Sequence, residues 1–297
     1  MNTSDLQSLP LEKWEPSRLT LQLMCQIVGK VRLKMHPFIN HWWHVPLYVS
    51  PRGLTSASIP YADGEFECQL DLIDHVLIIS TSKDEVDEVR LDGRNISQVY
   101  KGTMRILEQF GIDVQIKPEP YKCKSAIPFA EDTEHGPYDP AMVTNAWRAL
   151  TQIEPVFKKF RSRFVGKCSP VQMFWHSFDL ACSRFSGRAA PPMPQVDKVT
   201  QEAYSHEVIS AGFWFGDDKT PEPAFYCYAA PSPYGFGKQK LKSDIAYWGE
   251  PYGSPMALMP YEKWRVATDP ESALLEFLQS AYEAGAQCAE WPRLERG

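Results

Sequence analysis

The chain has 297 residues, a formal net charge of −6, 43% hydrophobic and 23% charged residues; that make-up supports a sizeable core and excludes a disordered chain. No basic cluster offsets the acidic balance, which argues against a dedicated nucleic-acid binder, and no apolar run nears the ~18 residues of a membrane helix. The N-terminus MNTSDLQSLPLEKWEP has no basic start and no apolar stretch, and the cysteines (Cys25, Cys68, Cys123, Cys168, Cys182, Cys227 and Cys288) include no Cys-x-x-Cys pair, so the expectation is a cytoplasmic protein with reduced thiols and no membrane partner.

Residues 1–16 read as a polar lead-in. Arg18–Val28 has helical spacing, with Leu19, Leu23, Met24, Ile27 and Val28 on one face, Ser17 as N-cap and Gly29 as the stop. His41–Ser50 reads as a strand. Phe66–Leu72 alternates apolar and polar residues, and a turn at Asp74-His75 leads into Val76–Ser80, which together predict a hairpin. Val86–Leu91 is a fourth strand, ended by Asp92-Gly93. Ser97–Phe110 is a helix with Gly111 past its end, and Ile112–Ile116 adds an edge strand.

Residues 118–138 are rich in Pro and charge and read as a linker between a first half, 1–117, and a second, 139–297. Asp139-Pro140 opens a long helix with an acidic N-cap and Pro at its first position, running to about Phe164 with a kink at Pro155. Val171–Cys182, Glu207–Phe215 and Ala224–Ala230 read as strands, and residues 231–259 as a long Gly-, Pro- and Tyr-rich loop. Asp269-Pro270 starts a last helix through about Ala284.

Both halves run helix, strands, helix. At one constant offset Trp43-His44 falls on Trp175-His176, Arg52 on Arg184, Ala57 on Ala189 and Pro60 on Pro192. The expectation is an α+β protein of two tandem helix–antiparallel sheet–helix repeats related by a pseudo-twofold, with a ligand cleft between them.

Four segments carry a resemblance: Asn40–Val45 (NHWWHV), Ser183–Arg188 (SRFSGR), Tyr204–Trp214 (YSHEVISAGFW) and Pro223–Tyr228 (PAFYCY). With them and the acidic Pro128–Asp139, the sequence resembles an uncharacterised bacterial family, a domain of unknown function. The resemblance spans most of the chain. It implies a soluble bacterial protein and transfers no catalytic residue. In that family the position of His176 is often Gly, which counts against a mechanism that needs an imidazole there.

Four groups of residues carry candidate chemistry. His41 and His44 point to opposite faces of a strand, so they make no metal pair; His44, on the face of Trp42 and Tyr48, is the acid/base candidate. His206 is the second, with Glu207 on the other strand face. Asp179 lies among apolar neighbours, where a carboxylate either pairs with an Arg or has a raised pKa. Arg184 and Arg188 are its expected partners, or the holders of a ligand's anionic end. The cluster of Glu131, Asp132, Glu134, His135, Tyr138 and Asp139 has the donors for a divalent cation without the spacing of a known loop, and reads first as a solvated linker.

The first expectation is an enzyme that acts on a small anionic or aromatic molecule in the inter-repeat cleft. His44, His206, Asp179 and Glu207 would do its chemistry, with Trp42, Tyr48, Arg184 and Arg188 holding the substrate. The second is a non-catalytic ligand-binding or interaction protein using the same cleft, and the third is a metal-dependent enzyme with ligands among His44, His206, Glu207 and Asp179. The sequence specifies no cofactor and no oligomeric state.

Overall fold

The structure, a computed structural model, describes residues 6–218, 220–292 and 294; of the polar lead-in, residues 1–5 lie outside them. Helix α1 (Leu11–Met35) starts earlier and ends later than its apolar face indicates. Almost every residue from Ser17 to Arg32 is buried, so no polar face marks its limits. Ser17 is no cap: its Oγ accepts the Asp139 N–H at 2.9 Å. Gly29 is no stop either. It sits mid-helix because the Trp175 ring lies against it, and a Cβ there would stand 2.2 Å from that ring.

The first sheet contains β1 (Tyr48–Ser50), β2 (Gly53–Thr55), β3 (Ile59–Tyr61), β4 (Gly64–Asp71), β5 (Val76–Thr81) and β6 (Val86–Arg90). Their order is β1-β2-β4-β5-β6, with β3 also on β4. The expected hairpin forms as β4 and β5, with Cys68 opposite Ile79, and Phe66, Cys68 and Leu70 face the core. Helix α2 (Ile96–Gln109) follows a capping box made by Asn95 and Gln98, and Gly111 takes φ +70° behind it.

Two expectations in this half fail. The strand His41–Ser50 exists only from Tyr48. Residues Asn40–Trp42 form a short 3-10 turn in which His41 and Trp42 hold φ 56° and 60°, a left-handed pair no strand admits. Ile112–Ile116 is not a strand. Its alternation reflects Ile112, Val114 and Ile116 dipping into the core from an irregular segment.

Helix α3 (Pro140–Ser162) is capped by the Asp139 carboxylate and contains Pro155. The second sheet follows: β7 (Gln172–Phe174), β8 (Asp179–Ala189), β9 (His206–Trp214), β10 (Ala224–Ala230), β11 (Tyr247–Gly249) and β12 (Met256–Pro260), in the order β11-β12-β10-β9-β8-β7. The expected single strand Val171–Cys182 is broken by a turn over residues 175–178, with Phe178 at φ 56°. The short α4 (Lys198–Ala203) precedes β9, and the 231–259 loop contains β11 and most of β12. Helices α5 (Tyr261–Trp264) and α6 (Pro270–Cys288) close the described chain.

The protein is therefore α+β with two antiparallel sheets. They meet edge to edge where Leu47 and Met173 exchange backbone hydrogen bonds of 2.9 and 2.7 Å, so the first strands of the two halves stand side by side at the centre. The letter matches at one offset do not mark equivalent places: Trp43 precedes β1, whereas Trp175 follows β7. One cluster of buried residues extends through both halves. Residues 118–138 form neither helix nor strand, yet Phe129 and Asp132 there are fully buried. Helices α3 and α6 pack on one face of the second sheet, and a cleft lies over the other.

Candidate functional site

The face of the second sheet opposite α3 and α6 is the floor of a cleft of about 920 Å³. Alternation along β8 sends Asp179, Ala181, Ser183 and Phe185 to this face, and Val208 and Ser210 of β9 and Tyr226 and Tyr228 of β10 join them. Trp42, Trp43 and α4 form one wall. Lys30, Leu33 and Lys34 from α1, with Tyr121 and Lys122, form the other.

The floor holds several hydrogen-bonded polar groups. The Tyr226 hydroxyl donates to one Asp179 oxygen and the Ser177 hydroxyl to the other. Tyr204 and Tyr228 join their hydroxyls at 2.8 Å, and Ser183 and Ser210 theirs at 2.9 Å. Gly212 makes the first contact possible: Tyr226 lies across it from the neighbouring strand, and a Cβ there would stand 2.3 Å from the phenol. Burial pushes the Asp179 carboxyl above its ordinary range, against the pull of the Ser177 and Tyr226 hydrogen bonds. Burial likewise raises the Tyr226 and Tyr228 phenols well above theirs.

The rim has the opposite character. Lys30, Lys34, Lys117 and Lys122 line the cleft, and Asp179 is the only carboxylate among the described lining residues. Burial, and then the charge of Lys117, lower the Lys30 pKa, and the Glu119 carboxylate offsets part of this. His176 stands between this cleft and an adjoining lobe of about 1020 Å³, whose wall also includes Asp179, Tyr204, Tyr226 and Tyr228. Burial, then the nearby Lys122 charge, push the His176 imidazole down to about 4.

At the wall, His41 is held from several sides. Its N–H donates to Glu202 Oε1 at 2.9 Å, its Nδ1 is 3.1 Å from the Glu202 carbonyl, and its Nε2 is 2.6 Å from Lys167 Nζ. Its ring stacks on Phe185 with centroids 4.5 Å apart. These contacts hold the left-handed backbone in place.

The residues singled out in the sequence scatter. Asp179 and Trp42 line the cleft; Trp42 Nε1 donates to the Val199 carbonyl at 3.1 Å. His44 is buried beside Phe38 and Trp42, and its Nδ1 meets the Ile39 backbone at 3.2 Å, outside the cleft lining. His206 stands edge-on to His41, with centroids 5.4 Å apart, and its Nδ1 is 3.1 Å from Ser205 Oγ. Glu207 takes hydrogen bonds from Ser186 and Arg188, both at 2.9 Å. Tyr48 lies under the Arg32 guanidinium.

Neither arginine is Asp179's partner. Arg184 is five residues along β8, hence on the helix-covered face, where it is fully buried over Phe160 and Tyr282. Arg188 reaches Glu207 and the Ala289 carbonyl at the surface. Among the described residues no group of three or more His, Cys, Asp or Glu side chains is placed to hold a metal ion. In the acidic segment, Asp132 accepts from the His135 ring at 2.8 Å and from the N–H groups of Glu134 and His135. Also among the described residues, no helix is long and apolar enough to cross a membrane.

Sequence reasoning passed over Tyr204, Tyr226, Tyr228 and the lysines. The tyrosines were visible: Tyr226 and Tyr228 share a face in the alternation of PAFYCY. Lys30 and Lys34 are four apart on one helix, but Lys117 and Lys122 lie far along the chain, and no spacing rule joins the two pairs.

The chain belongs to a family of unknown function, DUF5996, whose model matches residues 6–296. No curated protein and no solved structure matches it.

Proposed function

Within that family, we propose that this chain binds a small organic anion with a planar apolar body in the cleft on the second sheet. The observation that supports this is the pairing of a lysine rim with a buried Asp179–Tyr226–Ser177 network, across a cleft lined by Trp42, Trp43 and Tyr121. The rings give the planar body apolar contact, and the lysines offset its charge. The floor hydroxyls hydrogen-bond an oxygen at the far end. Seven free thiols, four of them buried, support a reducing compartment, the cytoplasm, as its location.

An enzymatic reading has one specific support. A buried carboxyl beside a tyrosine hydroxyl, when it carries its proton, makes a donor pair of the kind that stabilises charge developing on a carbonyl oxygen. On that reading Asp179 and Tyr226 take the place first given to His44 and His206.

The test is a titration of the purified chain with benzoate, 1-naphthoate, phenyl phosphate and 1-naphthyl phosphate, followed by tryptophan fluorescence. Saturable binding that weakens with added salt is expected, because the rim contacts are ionic and partly exposed. Tyr226→Phe, checked for folding by circular dichroism, should weaken it about tenfold, the cost of one buried hydrogen bond. Binding unchanged in Tyr226→Phe, or no saturable binding of any of the four, overturns the proposal.

A further inference from the structure

Behind the cleft floor, on the helix-covered face of the second sheet, the sulfurs of Cys168 and Cys182 stand 3.7 Å apart. Cys182 is buried in β8. Cys168 is partly exposed, on a segment joined to β8 by an isolated bridge opposite Arg184. We propose that Cys168 and Cys182 form a reversible dithiol–disulfide site whose oxidant is a hydroperoxide or a low-molecular-weight disulfide.

Three observations support it. The sulfurs are already neighbours, and closing the gap to the ~2 Å of a disulfide asks for movement of one short segment. That segment belongs to no strand of the sheet; it is tied to β8 by Ser169 N to Ser183 O, Phe185 N to Lys167 O and Ser183 N to Ser169 Oγ, each 2.9 Å. The two thiols are also unequal. The Cys182 thiol, and then the Arg161 and Arg184 guanidiniums, lower the Cys168 pKa, whereas Cys182 is raised well above its ordinary value by its neighbour and by burial. Cys168 is thus the accessible, more acidic thiol that reacts first, and Cys182 resolves it.

With a hydroperoxide, the Cys168 thiolate attacks the terminal oxygen and the O–O bond breaks. A sulfenic acid forms on Cys168, and the departing alkoxide or hydroxide takes up a proton. Cys182 then gives up its proton and attacks the Cys168 sulfur; the S–O bond breaks and water leaves. In sum, two thiols and one hydroperoxide become one disulfide, one alcohol or water, and one further water. With a low-molecular-weight disulfide, two exchange steps release two small thiols instead.

The pair sits next to the cleft wall. Lys167 precedes Cys168 and reaches the His41 ring, which stacks on Phe185. Drawing Cys168 toward Cys182 displaces Lys167 from that contact. This inference rests on the thiol geometry and not on the ligand of the cleft.

The test treats the folded full chain with hydrogen peroxide or oxidised glutathione. Free thiols are then alkylated, and non-reduced peptides are mapped by mass spectrometry. The expected product is a Cys168–Cys182 cross-link that dithiothreitol reverses. It should be lost in Cys168→Ser and kept in Cys123→Ser, a control at another partly exposed thiol. The His41 ring resonances should shift on oxidation of the wild type and stay put in Cys168→Ser. A persistent glutathione adduct or a sulfinic acid on Cys168, with Cys182 still alkylatable after unfolding, overturns the site. So does a Cys168 that stays reduced. Unmoved His41 resonances in fully cross-linked protein overturn the link to the cleft wall.

Discussion

Asp179 and His176 stand three residues apart at the cleft and titrate in opposite senses. Burial raises the Asp179 pKa from 3.8, so the unfolded chain releases its proton first as pH rises. Its contribution to stability is full below that value and is lost as pH climbs through the folded one. The melting temperature of the wild type minus that of Asp179→Asn should therefore fall as pH rises above 4; a difference that grows with pH contradicts the assignment. His176 runs the other way. Its imidazole is pushed from 6.5 to about 4, so its stability is present above 6.5 and is lost as acid protonates it. His176→Asn should flatten the decline in melting temperature between pH 6.5 and 4, and an unchanged slope contradicts it. The sequence did show Asp179 as anomalous, because a carboxylate amid apolar strand residues needs a partner. It did not show which partner, since the Tyr226 hydroxyl arrives from two strands away across Gly212.

Elements were legible where periodicity met a polar boundary. Helix α2 has both, with apolar positions on one face and caps at Asn95 and Gly111, and its expected limits differ by one residue at each end. Helix α1 lacks the boundary because it is buried all round, and there Gly29 misled. The usual reading of a mid-helix glycine is that alanine stabilises it by up to ~1 kcal/mol. Here the ring of Trp175 occupies the space, anchored by its Nε1 donating to the Val45 carbonyl at 2.9 Å. Gly29→Ala should instead destabilise the protein by about 1–3 kcal/mol in urea unfolding, the usual cost of overpacking; a gain in stability contradicts that packing. The strands beginning at His41 and Val171 were misread for a different reason. Left-handed residues at His41, Trp42 and Phe178 interrupt runs whose composition is strand-like, and an aromatic residue such as Trp42 or Phe178 carries no sequence mark of a positive φ.

At the scale of the molecule, the order of helices and strands was enough to give the α+β class with antiparallel sheets. The joining of the halves was not legible, because the Leu47–Met173 pair is backbone to backbone and has no side-chain signature. That pair, and the buried cluster shared by both halves, imply that they unfold together. Calorimetry should show one transition with equal calorimetric and van't Hoff enthalpies; two resolved transitions contradict it. The shared edge also brings α1 of the first half to the wall of the cleft on the second sheet, so Lys30 and Lys34 of one half face the tyrosines of the other. The central claim is that this meeting place holds a small aromatic anion. A crystallographic soak of aryl carboxylates and aryl phosphates tests it most directly. The account expects a ring against Trp42 or Trp43, the charged group among Lys30, Lys34, Lys117 and Lys122, and an oxygen on Asp179 or Tyr226. Ligands that cluster elsewhere on the surface and leave this cleft to solvent contradict it.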